Sequence, residues 1–231
     1  MGLTAAFEGL AEHVLLVELD DQVAAVWQTI ITQDAGQWLS DRILSFDLTP
    51  ENVDQVLAEP PASVEERAFQ TIVKNRTYHG GILAAGSGKI KHGENGRGIA
   101  SRWYPTTLAK RIRDIAQIRE RLAFVHGDAL DCIRQYAQQP DAVFFVDPPY
   151  TASRKKPGSR LYVHFDLDHD LLFSLMSQTA GDFLMTYDND VYVQKLAEKY
   201  GFDTETIPMK NTHHARQMEL LIGRDLRWAR I

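Results

Sequence analysis

Val143-Phe144-Phe145-Val146-Asp147-Pro148-Pro149-Tyr150 is the stretch whose reading decides the fold. Its run of β-branched and aromatic residues reads as a strand buried on both faces, the pattern of an interior parallel strand. Two prolines end the run, because they fix φ and cannot donate to a strand ladder. Asp147 and Tyr150 are therefore held at the carboxyl end of the strand, where open α/β sheets bind ligands. The same residues also read as an ordinary strand exit into a turn, since Pro-Pro is a common breaker.

Working outward, Phe124-Val125-His126-Gly127-Asp128-Ala129-Leu130 reads as a short strand whose acidic end precedes a helix. Asp128 is then either an acceptor for an adenine amino group or the cap of that helix. Further upstream, Val14-Leu15-Leu16-Val17-Glu18-Leu19-Asp20 has the composition of a buried parallel strand. An acidic residue at such a strand end is the usual partner of ribose hydroxyls in nucleotide-binding α/β folds. Glu18 is the first candidate for that role and Asp20 the second, Asp20 reading equally as the cap of a helix that starts near Asp21. Before it, Thr4 to Glu12 has helix formers and an apolar stripe at Leu3, Phe7 and Leu10.

Downstream, Thr151 to Val163 is a polar, basic loop long enough to meet a substrate. A helix begins at Asp168, and Phe183 to Tyr187 is another buried strand. The next helix stops at Gly201, and Thr204 to Met209 and Met218 to Ile222 form an antiparallel hairpin. Adjacent His213 and His214 sit in the hairpin turn, where neighbouring side chains diverge, so no metal is expected.

Residues 47–121 differ in character. Helices are expected from Pro50 to Leu57, capped by Thr49, from Glu65 to Arg76, and from Pro105 to about Arg121. Between the last two lies a glycine-rich piece, Gly80 to Gly98, interleaved with cations. Glycine permits close backbone approach to a ligand and the charge suits phosphates, while a flexible solvated loop is the plainer alternative. Gly86-Ser87-Gly88-Lys89 is no phosphate loop, because no Ser or Thr follows Lys89 and no strand feeds it.

The whole chain has 231 residues, a formal charge of −6 and one cysteine, Cys132, which reads as a small buried hydrophobe. That excludes an internal disulfide and a cysteine-based zinc site. No apolar run approaches membrane-spanning length and the start lacks a basic-then-apolar signal, so a cytoplasmic protein without a membrane partner is expected. The acidic total hides an uneven distribution: Lys74, Arg76, Lys89, Lys91, Arg97 and Arg102 precede the tetrapeptide strand, and Arg154, Lys155 and Lys156 follow it.

Asp147-Pro148-Pro149-Tyr150 resembles the catalytic tetrapeptide of amino-group methyltransferases, and the segments taken together resemble adenine-N6-specific DNA methyltransferases of the DNA adenine methylase type. The match runs through Val17 to Asp20, Asn75-Arg76 to Gly81, His126-Gly127-Asp128, Asp147 to Tyr150 and the terminal hairpin, in the family's order. The resemblance implies a Rossmann-like α/β sheet dependent on S-adenosylmethionine, with a terminal antiparallel hairpin and a small inserted, mostly helical recognition region. Residues 1–46 and 122–231 would form the catalytic domain, and 47–121 the insert. It implies methyl transfer to N6 of adenine in double-stranded DNA by a monomer, of the kind found in restriction-modification. Asp147, Pro148, Pro149 and Tyr150 would carry catalysis, Gly2, Glu18, Asp20, Asp128 and Asp147 would meet the cofactor, and the nine cations above would meet DNA. An exocyclic amine is a poor nucleophile; a carboxylate and a prolyl carbonyl that accept its two N–H groups draw the lone pair out of the ring plane.

The family begins with a lysine-containing segment and a first strand ending in a Phe-x-Gly-x-Gly-like loop. This chain opens after it, with Gly2 at the position of the loop's last glycine. The expectation is a shortened form in which part of the cofactor pocket is missing. The rival expectations are methylation of RNA or of a protein glutamine, and a non-catalytic DNA-binding remnant.

Overall fold

The computed structural model describes residues 1–93, 96–149, 163–164, 166–210 and 216–230. They form two compact units, each with its own core: Met1–Gly127 with 163–164, and 128–149 with 166–230. The expected insert, 47–121, lies within the first unit together with 1–46.

In the first unit, helix α1 (Gly2–Phe7) leads to strand β1 (Val14–Glu18), which pairs in parallel with β2 (Leu122–His126), Val14 opposite Leu122 and Glu18 opposite His126. The apolar stripe expected through Leu10 does not form a helical face. Gly9, at φ 69, turns the chain just after α1, leaving Phe7 46% and Leu10 80% exposed. Between β1 and β2 run helices α2 (Asp21–Ile31), α3 (Ala35–Ser45), α4 (Pro50–Ala58), α5 (Val64–Thr77) and α6 (Pro105–Gln117). Their starts are local chemistry. Asp20, Thr49 and Ser63 accept hydrogen bonds from first-turn N–H groups of α2, α4 and α5, and prolines open α4 and α6. Leu39, Ile43, Val53, Phe69, Val73 and Trp103 are buried in one core that includes Ile112 of α6.

In the second unit, α7 (Ala129–Tyr136) precedes β3 (Val143–Val146), followed by α8 (His169–Ser177), β4 (Asp182–Asp188), α9 (Val191–Lys199), β5 (Asp203–Lys210) and β6 (Arg216–Gly223). The sheet order is β3-β4-β6-β5; β3 and β4 are parallel, and β6 runs antiparallel to both β4 and β5. The α/β class, parallel strand pairs and the terminal antiparallel hairpin are present, but among the described residues the strands form two sheets, β1-β2 and β3-β4-β6-β5, rather than the single sheet expected. Gly201, at φ 70, follows α9, and Asp168 caps α8 by accepting from Leu171 N.

β3 corrects one expectation. It is the end strand of its sheet among the described residues, and it is covered on one face only. Phe144 and Val146 pack against the core of Phe173, Met176, Met185 and Tyr187, while Val143 is 77% and Phe145 42% exposed. Side chains alternate along a strand, so an unbroken apolar run cannot itself say which face is covered. Cys132 likewise is only half-buried. Burial, then Asp131 and Asp128, push its thiol up.

Candidate active site

Asp147 follows β3 directly, at its carboxyl end. Val146 lies opposite Met185, so Asp147 falls beside Thr186 of β4 on the same face. The Thr186 hydroxyl donates to Asp147 Oδ1 at 2.7 Å. Thr186 is buried and Asp147 is an exposed residue, so one carboxylate oxygen is tied to the sheet at its surface. Pro148 behind it is buried and Pro149 half-buried, which anchors the exit of the strand. Tyr150 lies outside the described residues, as do Arg154, Lys155, Lys156 and nearly all of the expected substrate loop.

Two strand positions further along the same face is Asp188, opposite Glu219 of β6. Its Oδ1 is buried with no hydrogen-bond partner. Burial, with Asp190 adding to it, pushes this carboxyl above the usual range, against the pull of its own backbone N–H. Thr186 and Asp188 were not candidates from sequence. Their only signal is parity: once Asp147 is assigned to one face, residues alternating on the neighbouring strand share it. The opposite face is structural. There buried His169 Nδ1 and the Tyr187 hydroxyl meet at 3.0 Å, tying α8 to β4, and burial pulls the imidazole below its ordinary value.

In the first unit, the carboxyl ends of β1 and β2 lie together: Gly127 N donates to Glu18 O at 3.0 Å, and His126 Nε2 is 3.2 Å from an Asp21 oxygen. Glu18 Oε1 accepts from both Leu19 N (2.8 Å) and Asp20 N (2.9 Å). That fixes the carboxylate and leaves Oε2 with acceptor capacity, which fits a ribose hydroxyl. Asp20 is committed differently. It is buried, and its Oδ1 accepts from Gln22 N and Val23 N as the cap of α2. Gly2 opens α1, and a Cβ there would meet Val14 Cγ1 at 3.1 Å, so it packs against β1. In the second unit, Asp128 is exposed and caps α7 by accepting from Leu130 N at 2.8 Å.

The basic candidates separate into kinds. Lys89 is ion-paired with Asp54, Lys74 Nζ donates to Leu83 O at 2.7 Å, and Arg97 lies over the Tyr104 ring at 5.6 Å. Lys91 is exposed. Arg76 and Arg102 flank the end of α5 and the turn after it. Beside α5 is a cleft of about 310 Å³ lined by Gln22, Leu57, Pro61, Gln70, Lys74 and Tyr78. Among the described residues no three His, Cys, Asp or Glu side chains are placed to hold a metal ion; His213 and His214 fall outside them. No helix among them is long and apolar enough to cross a membrane.

No protein-family model and no curated protein matches this chain. Among solved structures it is similar to a protein of Pyrococcus horikoshii provisionally named an RNA methyltransferase, at 12% identity and a TM-score of 0.28, over 81% of this chain and 96% of that one. That is a distant likeness, and the α/β assignment rests on the strand pairings themselves.

Proposed function

We propose that the protein is an S-adenosylmethionine-dependent methyltransferase acting on N6 of adenine in double-stranded DNA. The observation that carries this reading is Asp147, an exposed residue at the tip of a parallel strand, its carboxylate bonded by Thr186 and followed by Pro148-Pro149. S-adenosylmethionine supplies, when bound, a methyl group on a sulfonium sulfur. Glu18 is suited to the ribose hydroxyls through its second carboxylate oxygen. Asp20 supports the same region by capping α2, and Asp128, which caps α7, is the candidate acceptor for the cofactor's adenine amino group.

At the reacting end, Asp147 accepts one N–H of the adenine amine and the Pro148 carbonyl accepts the other. That would turn the amine's lone pair out of the ring plane, toward a methyl group that S-adenosylmethionine would give up to nitrogen as its C–S bond pair stays on sulfur. The proton lost from nitrogen leaves through Asp147. A base in a duplex reaches such a site only by leaving the stack, and the cations of residues 74–102 suit the phosphates on either side.

The test is transfer of labelled methyl from S-adenosylmethionine to duplex DNA. Asp147→Ala is expected to reduce transfer by at least about a thousandfold, on the scale of losing charge-directed catalysis, while duplex binding stays. Transfer unchanged in Asp147→Ala would overturn the reading. Transfer to RNA but not to duplex would replace its substrate.

A further inference from the structure

We infer that the cleft beside α5 binds one nucleotide, a nucleoside monophosphate whose base carries an amino group. The inference goes beyond the methyl-transfer reading and does not depend on it.

The cleft has a volume of about 310 Å³ and is lined wholly by residues of the first unit. That is near the low end of the roughly 300–1,000 Å³ range of ligand clefts, which suits one nucleotide and not a longer segment. Arg67, Gln70 and Lys74 come to it from one face of α5, and Tyr78 from the cap that ends the helix, because positions three, four and seven apart share a face. Leu57 of α4 and Pro61 just after it add an apolar wall, and Gln22 reaches the cleft from the first turn of α2.

Charge selects the class of ligand. Arg67 and Lys74 line the cleft, and among the described residues no carboxylate does. The two are two helical turns apart, a rise of about 10.5 Å, so they serve different parts of a ligand. Lys74 Nζ donates to Leu83 O at 2.7 Å and lies 5.9 Å from the centroid of the Tyr78 ring. That bond and the ring fix the ammonium and leave it two further N–H donors beside a flat aromatic surface. Arg67 is exposed, and its planar fork matches phosphate oxygens in pairs. A phosphate at Arg67 and a ring beside Tyr78 together have the outline of a nucleotide.

The amides narrow the base. Gln70 Nε2 donates to Val56 O and to Glu59 O, each at 2.8 Å, and so closes the end of α4. Both of its N–H groups are committed, so toward a ligand the Gln70 side chain can only accept, through Oε1. An exocyclic amine supplies the donor it needs. The Gln22 side chain has no partner among the described residues and offers a donor and an acceptor together, the pair that matches the N6 and N7 edge of adenine.

The experiment is calorimetric titration of the full chain with adenosine 5′-monophosphate. One saturable site per chain is expected, weakened by at least about tenfold in Arg67→Gln and in Gln22→Leu. Purine riboside 5′-monophosphate, which differs only in lacking the amino group, is expected to bind at least about tenfold more weakly, because Gln70 Oε1 then has no donor. Short duplex DNA added as competitor separates the two sources of such a nucleotide: displacement assigns it to a strand, and no displacement assigns it to a free nucleotide. Absence of binding overturns the inference. So does binding that is lost in Glu18→Ala but kept in Arg67→Gln, which belongs to the proposed ribose position instead. Absence of methyl transfer with the Arg67-dependent site intact overturns the methyltransferase reading alone.

Discussion

Asp147 and Thr186 are thirty-nine positions apart in sequence and 2.7 Å apart in space. A hydroxyl that donates to a carboxylate fixes which way the carboxylate faces, and a hydrogen bond to a charged group is worth about 1.5–3 kcal/mol. Thr186→Val keeps the shape and removes the donor. It is expected to lower kcat by roughly tenfold to a hundredfold with little change in KM for DNA, and Thr186→Ser should restore it; a fall in KM-linked binding alone would point to a merely structural role. His169 makes the second residue-scale case. Burial lowers its pKa in the folded protein, so just below pH 6.5 the unfolded chain binds more protons than the folded one. Stability from the neutral imidazole is thus complete above that pH and is lost as pH falls through the lowered folded value. The melting temperature should drop on acidification below about pH 6.5, and the drop should be shallower in His169→Gln.

β3 is the element on which sequence and structure part. Its four residues were all candidates for the core, yet only Phe144 and Val146 reach it. Val143→Thr is therefore expected to change unfolding free energy by less than about 0.5 kcal/mol, and Phe144→Ala to cost about 2–4 kcal/mol. Denaturant melts of the two variants check the asymmetry; equal losses would mean that both faces are covered. The same one-sidedness serves the site, because an end strand with an uncovered face leaves Asp147 exposed while Thr186 beside it remains buried. The helices differ from expectation mainly at their ends, α1 stopping at Phe7 and α6 at Gln117. Asp20, Thr49, Ser63, Asp128 and Asp168 all cap the helices that follow them, because capping needs only residues two or three positions apart.

Across the whole molecule, a net charge of −6 coexists with a proposed polyanionic substrate, and the pairing of charges reconciles the two. Lys199 is bound to Asp170 and Arg134 to Asp131 in the second unit, so those cations are already spent. Lys199→Gln and Arg134→Gln are expected to leave duplex affinity and its salt slope unchanged, as a titration of each variant would show. What the sequence determined by itself is local: helix starts, the strands, the antiparallel hairpin, and the tetrapeptide at a strand end, since period, caps and prolines act over a few residues. What only the tertiary structure decided is which face of β3 is covered, that Thr186 donates to Asp147, that one carboxylate oxygen of Asp188 is buried without a hydrogen-bond partner, and which cations are ion-paired. Each of these is set by strand register or helix packing between residues far apart in the chain, where no short-range pattern carries the information.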